Sequence, residues 1–185
     1  MIKNLIILGS TGSIGRSALK IIKKNKRDFK ISLLTTNSNV RRIFNQALEF
    51  NVKKVVINNK SNFQKYSHLF KKKKIKVFFE LDNALKNVHK KVYFTISAIS
   101  GIEGLEPTLK IIKFTKNLGI ANKESIICGW KFLNNELKKN NTNFIPLDSE
   151  HFSINSLINS ENKKNIKKIY LTASGGPFLN MKLKD

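Results

Sequence analysis

Hydrophobic and polar residues alternate along this chain in two rhythms. Short apolar runs at Leu5–Leu8, Ile31–Thr35, Lys54–Ile57, Lys76–Phe79 and Val92–Ile96 predict strands, as do Gly119–Ala121, Phe144–Leu147 and Ile169–Thr172. Amphipathic stretches lie between them. Ile14–Lys24 puts Ile14, Ala18, Leu19, Ile21 and Ile22 on one side of a helix, and Val40–Phe50 does so with Ile43, Ala47, Leu48 and Phe50. Asn62–Lys72, Pro107–Lys116, Glu124–Lys138 and His151–Ile158 complete the predicted helices. Pro107 suits a first turn, where its missing N–H would be unpaired anyway. Strand and helix in alternation predict βαβ units around a parallel sheet. The polar stretch Lys138–Asn143 marks a boundary, with one domain over 1–140 and the opening of a second over 141–185.

Composition adjusts this picture in three places. With 41% hydrophobic residues, 185 residues can bury a sizeable core. No apolar run approaches the roughly 20 residues that span a bilayer, so no membrane segment is expected. The apolar start of the chain runs straight into a glycine turn and reads as a strand rather than a signal sequence. Cys128 is the sole cysteine, which excludes an internal disulfide and suits a reducing cytoplasm. The formal charge of +23 would ordinarily point to nucleic acid. Yet all but four of the basic residues are Lys, scattered among many Asn and Ile, without aromatic residues interleaved for base stacking. The pattern reads as compositional bias over solvated faces, and nucleic acid is not expected as the partner. The charge still favours anionic, phosphorylated ligands.

Gly9-Ser10-Thr11-Gly12-Ser13-Ile14-Gly15 follows a predicted strand and opens a predicted helix. Glycines at this spacing let the backbone turn tightly and approach a pyrophosphate at the helix N-terminus. Such a turn can be mere strand–helix packing, but its flanks favour a dinucleotide. No Gly-Lys-Ser/Thr follows, so it is not a P-loop. The end of the second strand, Thr35-Thr36-Asn37-Ser38-Asn39-Val40-Arg41-Arg42, lacks the acid that would bind a ribose 2′-hydroxyl. Small polar donors and two arginines suit a 2′-phosphate, hence NADP(H), although Arg41 and Arg42 also read as a solvated helix start.

Four later segments sit where a parallel sheet presents its loops. Ser100 and Gly101, in the loop Ala98–Gly104, read either as the lining of a nicotinamide pocket or as an ordinary turn. Asn122-Lys123-Glu124-Ser125 reads as a cofactor- or substrate-orienting group, or as a helix start with an Asn cap. In Asp148-Ser149-Glu150-His151, two carboxylates one residue apart could face the same way and bind Mg²⁺ or Mn²⁺. They could equally be a helix cap and a first-turn Glu. His151 is assigned no role. Thr172-Ala173-Ser174-Gly175-Gly176-Pro177 reads as a phosphate nest or a simple turn.

Taken in order, GSTGSIG at 9–15, ANKES at 121–125, PLDSEHFSI at 146–154 and LTASGGPF at 171–178 resemble the 1-deoxy-D-xylulose 5-phosphate reductoisomerase family. The resemblance implies an α/β fold: a Rossmann-like NADP-binding parallel sheet with helices on both faces, then the start of a second, catalytic α/β domain. It implies that Thr11, Gly12, Ser13 and Ile14 cradle NADPH, with Asn37 and Asn39 near its adenosine end and Asn122 and Glu124 as further contacts. Lys123, Ser149 and Ser174 would bind a phosphorylated sugar. Asp148 and Glu150 would hold Mn²⁺ or Mg²⁺, with Co²⁺ a further candidate, and Lys123, Asp148 and Glu150 would be the catalytic set. The family reaction rearranges the carbon skeleton with metal assistance, then reduces the aldehyde with NADPH to 2-C-methyl-D-erythritol 4-phosphate, in the non-mevalonate isoprenoid pathway. Two departures stand out: Asn37 where the family usually has glycine, and Ala173 where glycine usually precedes the serine. Family members are cytoplasmic homodimers and longer, with a third carboxylate ligand and a C-terminal helical domain beyond position 185. The chain therefore reads as an N-terminal fragment, expected to bind NADPH weakly and not to turn over alone. Two rival readings are another NADP-dependent oxidoreductase, such as a semialdehyde dehydrogenase using Cys128, and a non-catalytic NADP- or polyanion-binding module. Cys128 falls inside a predicted helix with no loop to expose it.

Overall fold

The computed structural model describes residues 2–86, 88–160 and 165–170. Its elements run β1 (Lys3–Leu8), α1 (Ser13–Lys24), β2 (Phe29–Thr36), α2 (Val40–Glu49), β3 (Lys54–Ile57), α3 (Lys60–Lys71), β4 (Lys76–Phe78) and α4 (Leu81–Leu85). Then come β5 (Val92–Ser97), α5 (Leu105–Ile111), β6 (Thr115–Ile120), α6 (Lys123–Lys139), β7 (Asn143–Pro146) and α7 (Ser149–Ser160). The strands form one sheet in the order β4-β3-β2-β1-β5-β6-β7. The pairs β1–β2, β1–β5, β2–β3, β3–β4 and β5–β6 are all parallel. The chain moves outward from β1 to β4, then returns to the other side of β1. The order therefore reverses between β1 and β5, and the crevice beyond their C-terminal ends is where such sheets bind ligands.

Successive side chains of a strand point to opposite faces. On β1 this sends Leu5 and Ile7 into one core, and Ile6 and Leu8 into the other. The first core packs α1, α2 and α3 through Leu19, Ile22, Ile43, Ala47 and Phe70. The second packs α4, α5 and α6 through Leu81, Leu85, Ile111, Leu133 and Leu137. All four β1 residues are 5% exposed or less, so each contributes about 1.5–3 kcal/mol of burial free energy. This continuous apolar run is the expected sequence of a central parallel strand covered on both faces.

Several sequence expectations are corrected here. The helix predicted over Pro107–Lys116 is α5 followed by a 3₁₀ turn at Ile112–Phe114, and Thr115 already begins β6. Thr142 packs against this break, its hydroxyl sharing its one proton between the Ile112 and Thr115 carbonyls, both at 3.0 Å. Helix α4 was not predicted; its short run buries Leu81, Ala84 and Leu85 beneath the sheet. Ile14 and Ile21 of α1 and Leu48 of α2 are exposed, not core-facing. Ile169 and Tyr170 carry no strand, and the rest of that predicted strand lies outside the described residues. No described helix is long and apolar enough to cross a membrane.

The chain divides into two compact units, residues 1–145 and 146–185. In the second, α7 has no buried residue and leaves Phe152 and Leu157 exposed.

Candidate functional site

The glycine turn sits at the point where the strand order reverses. Gly9 has φ of 74°, and a Cβ there would lie 2.7 Å from the Ala98 carbonyl oxygen at the end of β5. Both the left-handed backbone and the close approach of the two loops require glycine. The turn is braced from β2: Gly9 N–H donates to Thr35 Oγ1 at 2.9 Å, and Ser10 N–H donates to the Thr35 carbonyl at 2.9 Å. The Thr11 and Thr36 hydroxyls share a 2.8 Å hydrogen bond. Ser10 is fully buried and locked to Gln46 of α2. Helix α1 starts at Ser13 behind Gly12, with no side-chain cap and no acid in its first turn. Its leading N–H groups thus face outward, which suits an anionic group. Gly12, Ser13 and Ile14 are exposed at this edge.

Beside the turn, Asn37, Ser38 and Asn39 form an exposed loop. The loop is held from behind: Asn59 N–H donates to the Asn37 carbonyl at 3.0 Å, and Asn62 Nδ2 to the Ser38 carbonyl at 3.1 Å. Asn37 is not among the positive-φ residues, so a side chain is accommodated there without backbone strain. Asn39 caps α2 by accepting from Arg42 N–H at 3.1 Å. The Arg42 guanidinium reaches back to donate to the Thr11 carbonyl at 3.2 Å, joining this loop to the glycine turn. Arg41 is exposed alongside, and no acid lies in the first turn of α2.

Across the crevice, Lys123 and Glu124 are the exposed first residues of α6. Asn122, ahead of them, is 5% exposed. It caps α6 by accepting from Ser125 N–H at 3.0 Å, and its Nδ2 donates to the carbonyls of Ile99, at 2.6 Å, and Gly101. Ser100 is exposed between them.

In the second unit, Asp148 stands at the N-cap of α7 and accepts from His151 N–H at 2.9 Å and from the His151 ring Nδ1 at 2.5 Å. Burial works to raise the Asp148 carboxyl, but the two His151 hydrogen bonds outweigh it and hold the group below the usual carboxylate value. Ser149 Oγ donates to Glu150 Oε2 at 2.9 Å. Ionised, oxygen-only donors of this kind fit a hard divalent cation. No cluster of three or more His, Cys, Asp or Glu side chains that could hold a metal occurs among the described residues.

The first unit therefore brings Thr11, Gly12, Ser13, Ile14, Asn37, Asn39, Asn122, Lys123 and Glu124 to one edge of the sheet. Asp148, Ser149 and Glu150 belong to the second unit, and Ser174 lies outside the described residues. Sequence reasoning missed Ser10, Gln46 and His151. Gln46 left a signal, a polar residue three positions after Ile43 on the buried side of an amphipathic helix. Cys128 of α6 is exposed, against the expectation that a helix would hide it. Two surface hollows among the described residues open around Lys30 and Asn51, by the N-terminal ends of the strands.

A parallel sheet with a braced glycine turn at its reversal point defines a Rossmann-like dinucleotide-binding fold. Two family models match successive parts of the chain: 1-deoxy-D-xylulose 5-phosphate reductoisomerase at residues 5–129, and the C-terminal domain of the same enzyme at residues 144–185. The chain belongs to the 1-deoxy-D-xylulose 5-phosphate reductoisomerase family. It is 52% identical to the reductoisomerase of Pelagibacter ubique over 98% of its own length and 47% of that protein's. The Zymomonas mobilis reductoisomerase in complex with NADPH superposes with a TM-score of 0.87 at 30% identity, covering 98% of this chain and 48% of that one. A DOX-P reductoisomerase in complex with NADPH, fosmidomycin and magnesium gives 0.82 at 30% identity, covering 99% and 48%. The chain thus spans about half the length of the curated relatives it matches.

Proposed function

We propose that this chain supplies the NADPH-binding part, and the opening of the metal-binding part, of an enzyme that converts 1-deoxy-D-xylulose 5-phosphate to 2-C-methyl-D-erythritol 4-phosphate. The observation that carries this reading is the glycine turn, fixed between β2 and β5 with uncapped N–H groups facing outward and no acid at the end of β2. Relatives bind NADPH and magnesium, and the residues here fit both groups.

Thr11, Gly12, Ser13 and Ile14 cradle the cofactor's pyrophosphate through the N–H groups of Thr11, Ser13 and Ile14, while the Gly12 N–H donates to the Gly9 carbonyl at 3.2 Å. Asn37, Asn39, Arg41 and Arg42 receive the 2′-phosphate end. Glu124 orients the nicotinamide side, and Lys123 neutralises the incoming phosphorylated sugar, assisted by Ser149 and Ser174. Asp148 and Glu150 hold Mg²⁺ or Mn²⁺, with His151 orienting the Asp148 carboxylate as metal-ligating carboxylates usually require. When bound, the metal polarises the substrate's oxygens and NADPH supplies the hydride. The NADPH domain covers 1–140 and the catalytic domain opens at 141. The whole enzyme is a cytoplasmic homodimer, a reading that the family resemblance and the single cysteine support.

Titration of the purified chain with NADPH and NADH tests the cofactor reading. NADPH should bind at least tenfold more tightly, about 1.4 kcal/mol. Equal affinity would remove the NADP assignment, and no binding of either would remove the cofactor site. Mn²⁺ binding followed by electron paramagnetic resonance should be lost in Asp148→Ala; unchanged binding would sink the metal assignment. NADPH oxidation dependent on 1-deoxy-D-xylulose 5-phosphate, measured with a protein of the relatives' full length, tests the reaction.

A further inference from the structure

We infer that Arg16 is a further cofactor-binding residue: with Arg42 it forms a pincer across the seam between α1 and α2 that grips the 2′-phosphate of NADPH. The inference deepens the NADPH reading proposed above and rests on it.

Residues 16, 20 and 23 fall on one stripe of α1, and residues 42, 46 and 49 on one stripe of α2. Their contacts turn the two stripes toward each other. At the C-terminal end of the seam, Lys23 pairs with Glu49 at 2.6 Å. Further along, Gln46 holds Ser10, just ahead of α1. At the N-terminal end, beside the glycine turn, the opposed residues are both cations. Arg16 Nε donates to the Gly12 carbonyl at 3.3 Å, and Arg42 Nη1 donates to the Thr11 carbonyl at 3.2 Å. Two exposed guanidinium groups are thus pinned to consecutive carbonyls of one turn. Among the described residues no carboxylate pairs with Arg16, Arg41 or Arg42. The remaining side-chain donors of Arg16 and Arg42 have no partner among the described residues and stand open to a ligand.

This arrangement works against the empty fold. Like charges stand together, each in the opening turn of a helix whose N-terminus already carries partial positive charge. Neither helix supplies an acid there. A bound phosphate dianion removes both costs. Arginine usage points the same way. The chain has 35 Lys and Arg, of which only Arg16, Arg27, Arg41 and Arg42 are Arg, and three of these four stand at this edge. Lys serves wherever charge alone is needed; the planar fork of Arg binds phosphate oxygens at two points. The pyrophosphate already has the backbone N–H groups of the glycine turn. The seam opens instead beside the Asn37–Asn39 loop, where Asn39 caps α2 on the Arg42 N–H.

Titration of the full 185-residue chain with NADPH, NADH and adenosine 2′,5′-bisphosphate tests the pincer. In Arg16→Ala, affinity for NADPH and for the bisphosphate should each fall about tenfold, or about 1.4 kcal/mol, while NADH stays within about twofold. Arg16→Lys keeps the charge without the fork and should recover only part of the loss. Lys20→Ala, one turn along the same stripe, should change none of the three. Without ligand, Arg16→Ala should melt no lower than the wild type, because it removes a cation from a helix N-terminus.

Equal weakening of NADPH and NADH would move Arg16 to the pyrophosphate and overturn the inference. Full recovery in Arg16→Lys, or an equal loss in Lys20→Ala, would leave only general charge attraction and overturn it too. A lower melting temperature with loss of all three ligands would make Arg16 a structural residue. An Arg16→Ala chain that keeps the whole preference for NADPH would defeat the pincer and leave the NADPH reading standing. A wild-type chain that binds NADPH and NADH equally would defeat that reading itself.

Discussion

Gln46 grips Ser10 from both sides: the Ser10 hydroxyl donates to Gln46 Oε1 at 2.8 Å, and Gln46 Nε2 donates to the Ser10 carbonyl at 2.9 Å. Ser10 is fully buried and Gln46 is 7% exposed, so neither partner has water to fall back on. Replacing Gln46 with Leu leaves the buried Ser10 carbonyl without that donor and the Ser10 hydroxyl with only its longer 3.3 Å bond to the Thr35 carbonyl, which costs about 1–3 kcal/mol. Urea denaturation should show that loss. NADPH affinity should fall as well, because the same contact holds the middle of the glycine turn.

Gly9 and Gly12 should separate folding from binding. Alanine at Gly9 must adopt φ of 74° and bring its Cβ to 2.7 Å from the Ala98 oxygen. The backbone cost is about 1–2 kcal/mol and the crowding costs about 1–3 more, so Tm should fall sharply. Alanine at Gly12 meets the Gly9 oxygen at 3.4 Å and the Ala98 oxygen at 3.8 Å, with φ of −72°. Stability should change by under about 1 kcal/mol, while NADPH binding weakens because a methyl is added in the turn proposed to hold the pyrophosphate. Normal NADPH affinity in Gly12→Ala would place the pyrophosphate elsewhere.

Arg42 offers a specificity test. Its guanidinium donates to the Thr11 carbonyl from an exposed position. Arg42→Ala should change stability by no more than about 0.5 kcal/mol. It should weaken NADPH binding while leaving NADH nearly unaffected, narrowing the difference between the two in a competition titration.

The helix cap that Asp148 provides and the metal-ligand role proposed for it are pulled apart by different substitutions. As the N-cap of α7 it is replaceable by Asn, whereas Ala costs about 1 kcal/mol of helix stability. Asp148→Asn should therefore keep the helix signal and lose Mn²⁺ affinity, and Asp148→Ala should lose both.

Lys110 joins α5 to α4 through Asp82 at 2.6 Å, and pairs with Glu106 at 2.8 Å. The hydrogen bond to Asp82, then that to Glu106, raises its pKa above the ordinary lysine value. A raised folded pKa contributes stability at neutral pH that is lost as pH climbs through that value, beyond about 10.4. With the side chains substantially exposed, the contribution is under about 1 kcal/mol. Lys110→Met should be slightly less stable than wild type at neutral pH, and the gap should close in strong alkali and in molar salt.

Much of this was legible in the residues themselves. The apolar run Leu5–Leu8, entering three spaced glycines, announces a buried central strand and an anion-binding turn, because continuous burial and tight turning each demand particular residue types. The ordered motifs around Gly9, Lys123 and Asp148 pointed to the family that the comparisons bear out. Positions where two readings of equal local merit competed were not legible. The start of β6 at Thr115 depends on pairing with Val92, and the break before it is packed by Thr142, some 27 residues downstream.

Asn122 shows the division most clearly. From sequence alone it is a good helix cap beside a charged pair, and local chemistry explains it fully. Only the folded chain brings the Ile99 and Gly101 carbonyls within reach of its two donors. Residue type dictates what a side chain can bond. Tertiary structure dictates which distant backbone groups are there to receive it, because hydrogen bonds act over ångströms while their partners here lie more than twenty residues apart in sequence.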